Sequence, residues 1–414
     1  MYYLCPDKKI IAMEPNDVQM LMQIYHNRLA FVDGSFHRYL FKEIDWRDRL
    51  IGIKGQRGVG KTTLMLQHIK ETFENPDEAF YVSLDDFWFA SHRLEELVSY
   101  LYAQGVRYLF VDEVHHYDAW QTILKNLYDG YPDLHIVYTG SSMLLLETAQ
   151  GDLSRRLIDY TLPGLSFREF LSYEGVADIP TVSWDDLLTK HVPIAMTIKE
   201  KIPSIMPLFD AYLRHGYYPF YKEVARGFEL RLQHIASRVL EMDYPKIDDV
   251  SVSTINKTRK MLMVLAEHVP QVPTMSKLYG QLETDRNQGM KMLYALQRAG
   301  LIAMLTDNTK SLKTLSRPEK ILIDNTNLMY ALGAKTEIGT IRETFFFNQV
   351  RQVLPVVYPA KGDFLVDGKY LFEVGGFGKT FEQIKDEPNS FLAVDGTEIG
   401  HKNRIPLWMF GLLY

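Results

Sequence analysis

The stretch Gly55-Gln56-Arg57-Gly58-Val59-Gly60-Lys61-Thr62-Thr63 fits the pattern GxxxxGK[ST] and decides the fold. Residues 49–54 before it are an apolar run that predicts a buried strand, and residues 64–69 after it have the apolar spacing of a helix. Glycines at such a turn let successive backbone N–H groups converge on phosphate oxygens. The stretch therefore predicts a Walker A phosphate loop, in which Lys61 reaches the β and γ oxygens and Thr62 gives a hydroxyl to Mg²⁺.

A second strand, at residues 107–113, ends in two carboxylates, Asp112 and Glu113. Taken alone, this is equally the pattern of an ordinary strand end with solvated acids. Downstream of a phosphate loop it is typical of a Walker B motif. Asp112 is then expected to hold Mg²⁺ through its water shell, and Glu113 to orient and deprotonate the attacking water. The two motifs together predict ATP and Mg²⁺ as ligands.

Three further apolar runs predict strands at residues 79–84, 135–139 and 157–162. The first lies between the two Walker strands in the sequence, and in the ATPase branch of P-loop proteins a strand intervenes between those two. Strands that alternate with helices of this length predict an α/β fold with a parallel sheet covered on both faces. The nucleotide is then expected at the carboxyl ends of the strands.

Five side chains near these strands are weighed as further candidates for the site. Thr139 and Ser141 are candidate sensors of the γ-phosphate, or hydroxyls that cap the next helix. Arg156 is a candidate arginine finger, in cis or from a neighbouring subunit, or a surface salt-bridge residue. The pair His115-His116 beside the Walker B strand suggests a metal-binding or catalytic role, but no other histidine sits at ligand spacing, so the start of a surface helix is the preferred prediction.

Composition bounds the class of protein. The chain has 414 residues, of which 46% are hydrophobic and 24% charged, and this length predicts two to four domains. No apolar stretch reaches the roughly 18 residues that cross a bilayer, and the start does not resemble a signal peptide. The single cysteine, Cys5, forms no internal disulfide and suits a reducing compartment. We therefore expect a cytoplasmic protein with no membrane partner.

Positive charge is concentrated in one segment. The net charge is -6, yet residues 251–320 contain eleven Lys and Arg against five Asp and Glu, which leaves about +6 in that segment. Any contact with nucleic acid should therefore be local. Three helices followed by a strand and a turn at Asp307-Asn308 also predict a winged helix here. It is expected either to bind DNA or to pack structurally inside the protein. The residues expected to meet DNA phosphates are Arg286, Lys291, Arg298, Lys310 and Lys313.

Five motifs in this order carry a family resemblance. They are the phosphate loop, Val111-Asp112-Glu113-Val114, Thr139-Gly140-Ser141-Ser142, Leu162-Pro163-Gly164-Leu165-Ser166-Phe167-Arg168-Glu169-Phe170-Leu171, and His215-Gly216-Tyr217-Tyr218-Pro219. Over nearly its whole length the chain resembles the bacterial and archaeal AAA-type ATPases that carry a C-terminal restriction-endonuclease-like domain of unknown function. The sequence and this resemblance together predict an ATPase core at residues 1–165, a helical lid or linker at 166–250, a winged helix at 251–325 and the nuclease-like α/β domain at 326–414.

Three acids near the C-terminal end follow the metal-binding pattern of restriction-endonuclease-like folds: Glu343 on a helix, Asp363 at the start of a strand and Glu373 late in the next strand. That pattern expects a lysine two residues after the second strand acid, where this chain has Gly375. The difference removes the cation that would stabilise charge developing on the scissile phosphate. Lys379 or Lys385 from the following segment could replace it only by reaching the same point in space.

The sequence therefore predicts a nuclease-like domain without cleavage activity, retained for interaction or sensing, whose acids pack or bind metal weakly. The leading prediction for the whole chain is a hydrolase that uses Mg-ATP to drive or gate rearrangement of the winged-helix and nuclease-like domains, with an unknown protein partner. Two alternatives stay open. One is a nucleotide-gated switch with little turnover, and the other is a DNA-acting ATPase with an active C-terminal nuclease.

Overall fold

A computed structural model gives the fold as two compact units, Met1–Leu162 and Pro163–Tyr414. No helix that it describes is both long and apolar enough to cross a membrane. The residues described are 13–140, 153, 155–224, 226–246, 248–268, 275–306, 318–333 and 337–414.

The first unit is built on a five-stranded parallel sheet, as the sequence predicts. The first four strands are almost wholly buried, which is why they are near-continuous apolar runs rather than alternating ones. The strands are β1 Leu50–Lys54, β2 Ala79–Ser83, β3 Tyr108–Asp112, β4 His135–Gly140 and β5 Ile158–Thr161. Their order across the sheet is β2-β3-β4-β1-β5.

Helices connect these strands. The third helix begins at Lys61, directly after Gly60. The φ of Gly60 is 98°, a left-handed value that glycine adopts at little steric cost. The helices are α1 Pro15–Phe31, α2 Leu40–Glu43, α3 Lys61–Thr72, α4 Leu94–Ala103 and α5 Trp120–Gly130, with 3₁₀ turns at Pro76–Glu78, Phe87–Ala90 and Val114–His116. The predicted strand, glycine turn and helix of the phosphate loop are therefore present.

The order of the strands across the sheet differs from their order in the sequence. The second strand, β2, intervenes in the sequence but lies at the edge of the sheet, and β4 lies between β1 and β3. Ile136 of β4 pairs with Leu50 on one side and with Leu109 on the other. As a consequence, the carboxyl end of β4 lies between the phosphate loop and the Walker B acids.

The second unit begins with helices, in agreement with the mostly helical character expected at residues 166–250. Its first helix starts at a capping box, in which Ser166 accepts from the Glu169 N–H and the Glu169 carboxylate accepts from the Ser166 N–H. The elements are α6 Phe167–Tyr173, α7 Trp184–Lys201, α8 Ile205–Ala211 and α9 Phe228–Arg238, π-helical turns at Tyr212–Gly216 and Val239–Asp243, and 3₁₀ turns at Pro219–Glu223 and Tyr244–Lys246.

Three helices and two antiparallel strands follow. They are α10 Val252–His268, α11 Met275–Gln281, α12 Arg286–Arg298, β6 Ile302–Leu305 and β7 Lys320–Ile323. Asp285 caps the start of α12 by accepting from two backbone N–H groups, and the helix buries Leu293 and Leu296. The turn predicted at Asp307-Asn308 lies outside the described residues.

A second five-stranded sheet, of mixed direction, ends the chain. Its order is β12-β11-β10-β9-β8, with β10, β11 and β12 parallel and the β8-β9-β10 pairs antiparallel. The elements of this part are α13 Thr326–Leu332, α14 Ile338–Val350, β8 Val356–Val357, β9 Phe364–Val366, β10 Tyr370–Gly375, β11 Ser390–Val394, β12 Arg404–Pro406 and a 3₁₀ turn at Leu407–Leu412.

Candidate nucleotide site

The two Walker motifs meet at the carboxyl edge of the first sheet. Thr62 stands in the first turn of α3 and Asp112 is the last residue of β3. The Thr62 hydroxyl donates to the Asp112 carboxylate over 2.6 Å. The structure thus brings together the hydroxyl and the acid that were both assigned to Mg²⁺, although 50 positions separate them in the chain.

The Lys61 ammonium lies inside the loop that it follows. It donates to the backbone carbonyls of Gly55 and Gln56, at 3.0 and 2.9 Å. Burial lowers the pKa of Lys61, while the nearby carboxylates of Glu113 and Asp112 act in the opposite direction. Water does not solvate this buried cation well. An anionic ligand beside it would provide compensating negative charge, so the loop suits such a ligand.

Tight backbone packing fixes the shape of the loop. A side chain at Gly55 would place its Cβ 2.4 Å from the carbonyl oxygen of Leu162, so the position admits only glycine without a shift. Gly58 has a φ of 84°. The buried Arg38 donates to the Val59 carbonyl over 2.6 Å and so ties the loop to the segment before β1. Sequence reasoning did not identify Arg38, because no spacing rule links it to the loop.

Asp112 is the centre of a buried hydrogen-bond network. The hydroxyls of Tyr81 and Thr139 both donate to its carboxylate, Tyr81 over 2.9 Å. Arg28 in turn donates to the Tyr81 hydroxyl over 2.6 Å. Thr139 therefore reaches Asp112 directly, because β4 is inserted beside β3. Tyr81 was missed by the sequence, since only its place in the strand beside Asp112 gives it a role.

Glu113 has the environment of a general base. It is the only member of the Walker B acid pair in left-handed backbone, with a φ of 54°, and its side chain is 16% exposed. Burial raises the pKa of Glu113 to about 7, against the opposing charges of Lys61 and Arg57. A pKa near neutrality suits a carboxylate that takes a proton from water. A strained backbone at such a position is common in active sites.

The histidine pair lies against Glu113. Nε2 of His115 is 3.4 Å, and Nε2 of His116 is 3.9 Å, from the same Glu113 oxygen. An Arg57 nitrogen lies 3.1 Å from His115 Nε2. The prediction of a surface helix start is wrong for His115, which is 4% exposed, because the turn after the left-handed Glu113 points the ring inward.

Of the other two predicted catalytic residues, the structure describes only Arg156, and it does not bring Arg156 to this site. Ser141 lies outside the described residues. Arg156 lies two residues before β5, at the amino edge of the sheet and opposite the phosphate loop of its own chain. It forms a two-point ion pair with Asp129, at 2.9 and 3.1 Å. Within one chain, Arg156 is thus a surface salt-bridge residue, and its action in trans stays a prediction.

In the second unit, the three predicted acids are each within an ion-pair network. Glu343 and Asp363 face the same ammonium, that of Lys320 on β7, at 2.6 and 3.8 Å. Glu373 on β10 lies 2.5 Å from the Lys379 ammonium. Burial raises the pKa of both Glu343 and Glu373. The acids are therefore neighbours of two lysines, one of which the sequence did not connect to them.

Lys379 occupies the space that a side chain at Gly375 would fill. A Cβ at Gly375 would lie 2.8 Å from the side-chain carbons of Lys379. Lys385, the other candidate replacement, lies instead 3.6 Å from Glu382. Of the two lysines, only Lys379 reaches the second strand acid.

The basic residues of the predicted DNA surface are only partly described. Arg286 and Lys291 are exposed on α12. Arg298 lies 4.0 Å from Asp248. Lys310 and Lys313 lie outside the described residues.

The fold and this site are those of a P-loop α/β domain with a nucleotide site at the carboxyl edge of a parallel sheet. A family model for the AAA domain matches residues 47–171. This match supports an AAA-type ATPase domain in that part of the chain.

Two relatives match other lengths of the chain, and both are uncharacterized. An uncharacterized protein from Methanocaldococcus jannaschii is 24% identical over 395 residues, which are 87% of this chain and 82% of that protein. A second uncharacterized protein from the same organism is 30% identical over 127 residues, 30% of this chain and 28% of that one.

Similar solved structures include AMPPCP-bound DnaA from Aquifex aeolicus, which is 16% identical with a TM-score of 0.24, and covers 72% of this chain and 93% of that one. The Hsp104-ADP complex of S. cerevisiae is 15% identical with a TM-score of 0.29, covering 67% and 41%. PCH-2 of C. elegans is 16% identical with a TM-score of 0.23, covering 68% and 67%. TM-scores this low carry no argument about function.

Proposed function

We propose that this protein hydrolyses Mg-ATP at the first unit and uses the cycle to drive or gate rearrangement of residues 166–414. The observation that carries the proposal is the 2.6 Å contact between the Thr62 hydroxyl and the Asp112 carboxylate. An ordinary strand end would leave its acid solvated, whereas Asp112 is 2% exposed and directed at the first turn of α3. The AAA-domain match over residues 47–171 supports the same class.

The roles of the side chains follow from their positions. Lys61 is placed to bind the β- and γ-phosphates, and the loop N–H groups to bind the remaining phosphate oxygens. Thr62 would hold Mg²⁺ directly and Asp112 through water, and Mg²⁺ when bound neutralises charge that develops on the phosphates. Glu113, with its raised pKa of about 7, accepts a proton from the attacking water.

A turnover experiment with three variants tests the proposal. Removing a general base costs typically about 10²–10⁴-fold, so we expect Glu113→Gln to slow ATP hydrolysis by about 100-fold or more while nucleotide affinity stays within a few fold. Lys61→Ala should weaken nucleotide binding itself. Glu96→Gln, at an exposed acid of α4, is the matched control and should leave both quantities unchanged. Equal turnover in the wild type and Glu113→Gln contradicts the proposal.

We propose that residues 251–325 form a winged helix that contacts DNA. Its support is the run of three helices and two antiparallel strands, with Arg286 and Lys291 exposed on α12. Duplex DNA should raise ATP turnover, and the double variant of these two residues should lower the salt slope of DNA binding by about 0.9 for each phosphate that is no longer neutralised. Gln297→Ala, exposed on the same helix, should not. DNA binding that is unaffected by the double variant contradicts DNA contact through α12 and favours a packing role for this segment. Light scattering of the same samples gives the oligomeric state.

Residues 326–414 are proposed to be a restriction-endonuclease-like domain, retained for interaction or sensing, because Lys320 and Lys379 neutralise its acids. A metal-dependent nuclease is a second candidate, favoured by the position of Lys379 beside Glu373. In that reaction water attacks the phosphorus, a new P–O bond forms and the bond to the leaving sugar oxygen breaks.

Incubation of duplex DNA with Mg²⁺ or Mn²⁺ separates the two candidates. Cutting that is abolished in both Asp363→Ala and Lys379→Met but kept in Lys385→Met establishes the nuclease. Lys385 is the matched control because its ammonium contacts only the exposed Glu382 among the ion pairs of this segment that the structure describes. Intact DNA in every sample supports the proposal that this domain does not cleave DNA.

A further inference from the structure

Three metal-binding side chains converge directly after the Walker B strand. One oxygen of Glu113 and one ring nitrogen each of His115 and His116 all lie within 4.8 Å of one another. The two histidines follow Glu113 in the 3₁₀ turn Val114–His116, so their relative placement is set by local backbone. Mg-ATP hydrolysis, as proposed above, requires the carboxylate but gives neither imidazole a role.

The distances suit a tetrahedral ion. Zinc bound to nitrogen and oxygen at about 2.0–2.2 Å separates adjacent ligand atoms by about 3.3 Å. The Glu113 oxygen lies 3.4 Å from His115 Nε2 and 3.9 Å from His116 Nε2. The ring nitrogens of His115 and His116 lie at most 4.8 Å apart, so the two rings must also move toward each other for the set to close around one ion, with the fourth position open.

The donor types select among metals. Two imidazoles and one carboxylate suit zinc and its transition-metal neighbours, whereas Mg²⁺ prefers a shell of oxygen atoms. The Thr62 and Asp112 oxygens, by contrast, are of the kind that Mg²⁺ takes. The two sets of ligands lie side by side at the end of β3 and differ in chemistry.

The contact with Arg57 fixes the protonation of one ligand. A guanidinium nitrogen lies 3.1 Å from His115 Nε2, and a guanidinium donates but does not accept. Nε2 of His115 therefore carries a lone pair, which now accepts from Arg57 and which a metal would take in its place. Arg57 also lies 3.8 Å from the Glu113 carboxylate, so a bound ion must displace this guanidinium from two of the three ligand atoms.

We infer that Glu113, His115 and His116 bind a single transition-metal ion, with Zn²⁺ as the representative, and that the bound ion inhibits ATP hydrolysis. The carboxylate that coordinates the ion donates a lone pair to it and no longer accepts a proton from water. The inhibitory part rests on the proposed ATPase function, whereas metal binding does not.

The test measures Zn²⁺ binding to the nucleotide-free full-length protein by competition with a chromogenic chelator. We expect one equivalent bound by the wild type, and an affinity at least tenfold weaker in His116→Ala and in His115→Ala. His116→Ala removes a partly exposed ring and should fold. The test therefore stays valid even if His115→Ala, which removes a buried ring, fails to fold. His26→Ala, an exposed histidine that faces Asp77 in the same unit, is the matched control and should bind as the wild type does.

Lys61→Ala separates this inference from the ATPase proposal, because it should still bind one equivalent of Zn²⁺, at least as tightly as the wild type since a neighbouring positive charge is removed, even though its nucleotide binding is impaired. In metal-buffered Mg-ATP, Zn²⁺ at its dissociation constant should halve wild-type turnover. Zinc binding that is unchanged in His116→Ala, or absent from the wild type, overturns the site. Full turnover with the site saturated overturns the inhibition.

Discussion

His68 makes the nucleotide-binding unit sensitive to acid. Its ring lies on α3, which carries the phosphate-loop lysine, and it is 7% exposed. It stacks on Trp46 with ring centroids 3.7 Å apart and an interplanar angle of 7°. Burial lowers the pKa of His68 from 6.5 to about 4. The folded unit therefore holds this ring neutral, because the surrounding aromatic side chains cannot solvate an imidazolium.

The sign and size of the effect follow by linkage. Between pH 6.5 and about 4 the unfolded chain binds a proton at His68 that the folded chain does not, so stability falls as the pH falls through this window. With about 1.4 kcal/mol for each unit of difference, the decrease reaches about 2 to 3 kcal/mol at pH 4.5 and is close to zero at pH 7.5. For a unit of this size that corresponds to about 4 to 12 °C in melting temperature.

The variant His68→Phe tests this reasoning, since it keeps a ring against Trp46 and removes the titration. It also removes the 3.1 Å contact with the Thr72 hydroxyl, but that cost is the same at both pH values and cancels. The free energy of unfolding of both proteins is measured in urea at pH 7.5 and 4.5. Relative to the wild type, the variant should be more stable by about 2 to 3 kcal/mol at pH 4.5 than it is at pH 7.5. His26→Phe, at an exposed histidine, should gain little. An equal wild-type-to-variant difference at the two pH values refutes the argument.

Three further changes probe the site itself. Tyr81→Phe removes one hydroxyl that donates to the buried Asp112, and should cost about 1.5 to 3 kcal/mol in urea unfolding of the nucleotide-free protein. Thr139→Val removes the other hydroxyl at nearly constant volume. It should slow ATP turnover, measured as phosphate release, by about tenfold or more, because a hydrogen bond to a charged group is worth at least about 1.4 kcal/mol. Gly55→Ala would place a Cβ 2.4 Å from a backbone carbonyl and should abolish binding in a fluorescent-nucleotide titration, whereas Gly130→Ala, with open space around it, should not.

The phosphate loop and the Walker B acids could be predicted because each depends on a few adjacent residues. A strand, a glycine turn and a helix fix the position of Lys61 without reference to the rest of the chain. The parallel sheet was also accessible, since alternating strands and helices leave few other arrangements. The order of the strands was not, because it is set by which edges pair, and sequence neighbours need not be sheet neighbours.

That non-local order explains what the sequence missed at the site. Tyr81 contributes to the hydrogen-bond network of Asp112 only because β2 lies beside β3, and Thr139 reaches Asp112 only because β4 is inserted next to β3. Arg156 shows the converse. Its position just before β5 suggested a role near the nucleotide, but a residue that precedes a parallel strand lies at the amino edge, away from the loop.

The C-terminal acids show that a cation can reach an acid from a position that the spacing rule does not name. A motif records which position in a strand usually carries a cation, whereas a reaction requires only that a cation lie at the right point in space. At Gly375 the chain has no side chain, and the stem of Lys379 passes through the space that one would fill, so that its ammonium meets Glu373 at 2.5 Å. Substituting Gly375 by a larger residue should therefore displace Lys379 from Glu373. It would test the position of the ammonium independently of Lys379→Met, which removes it.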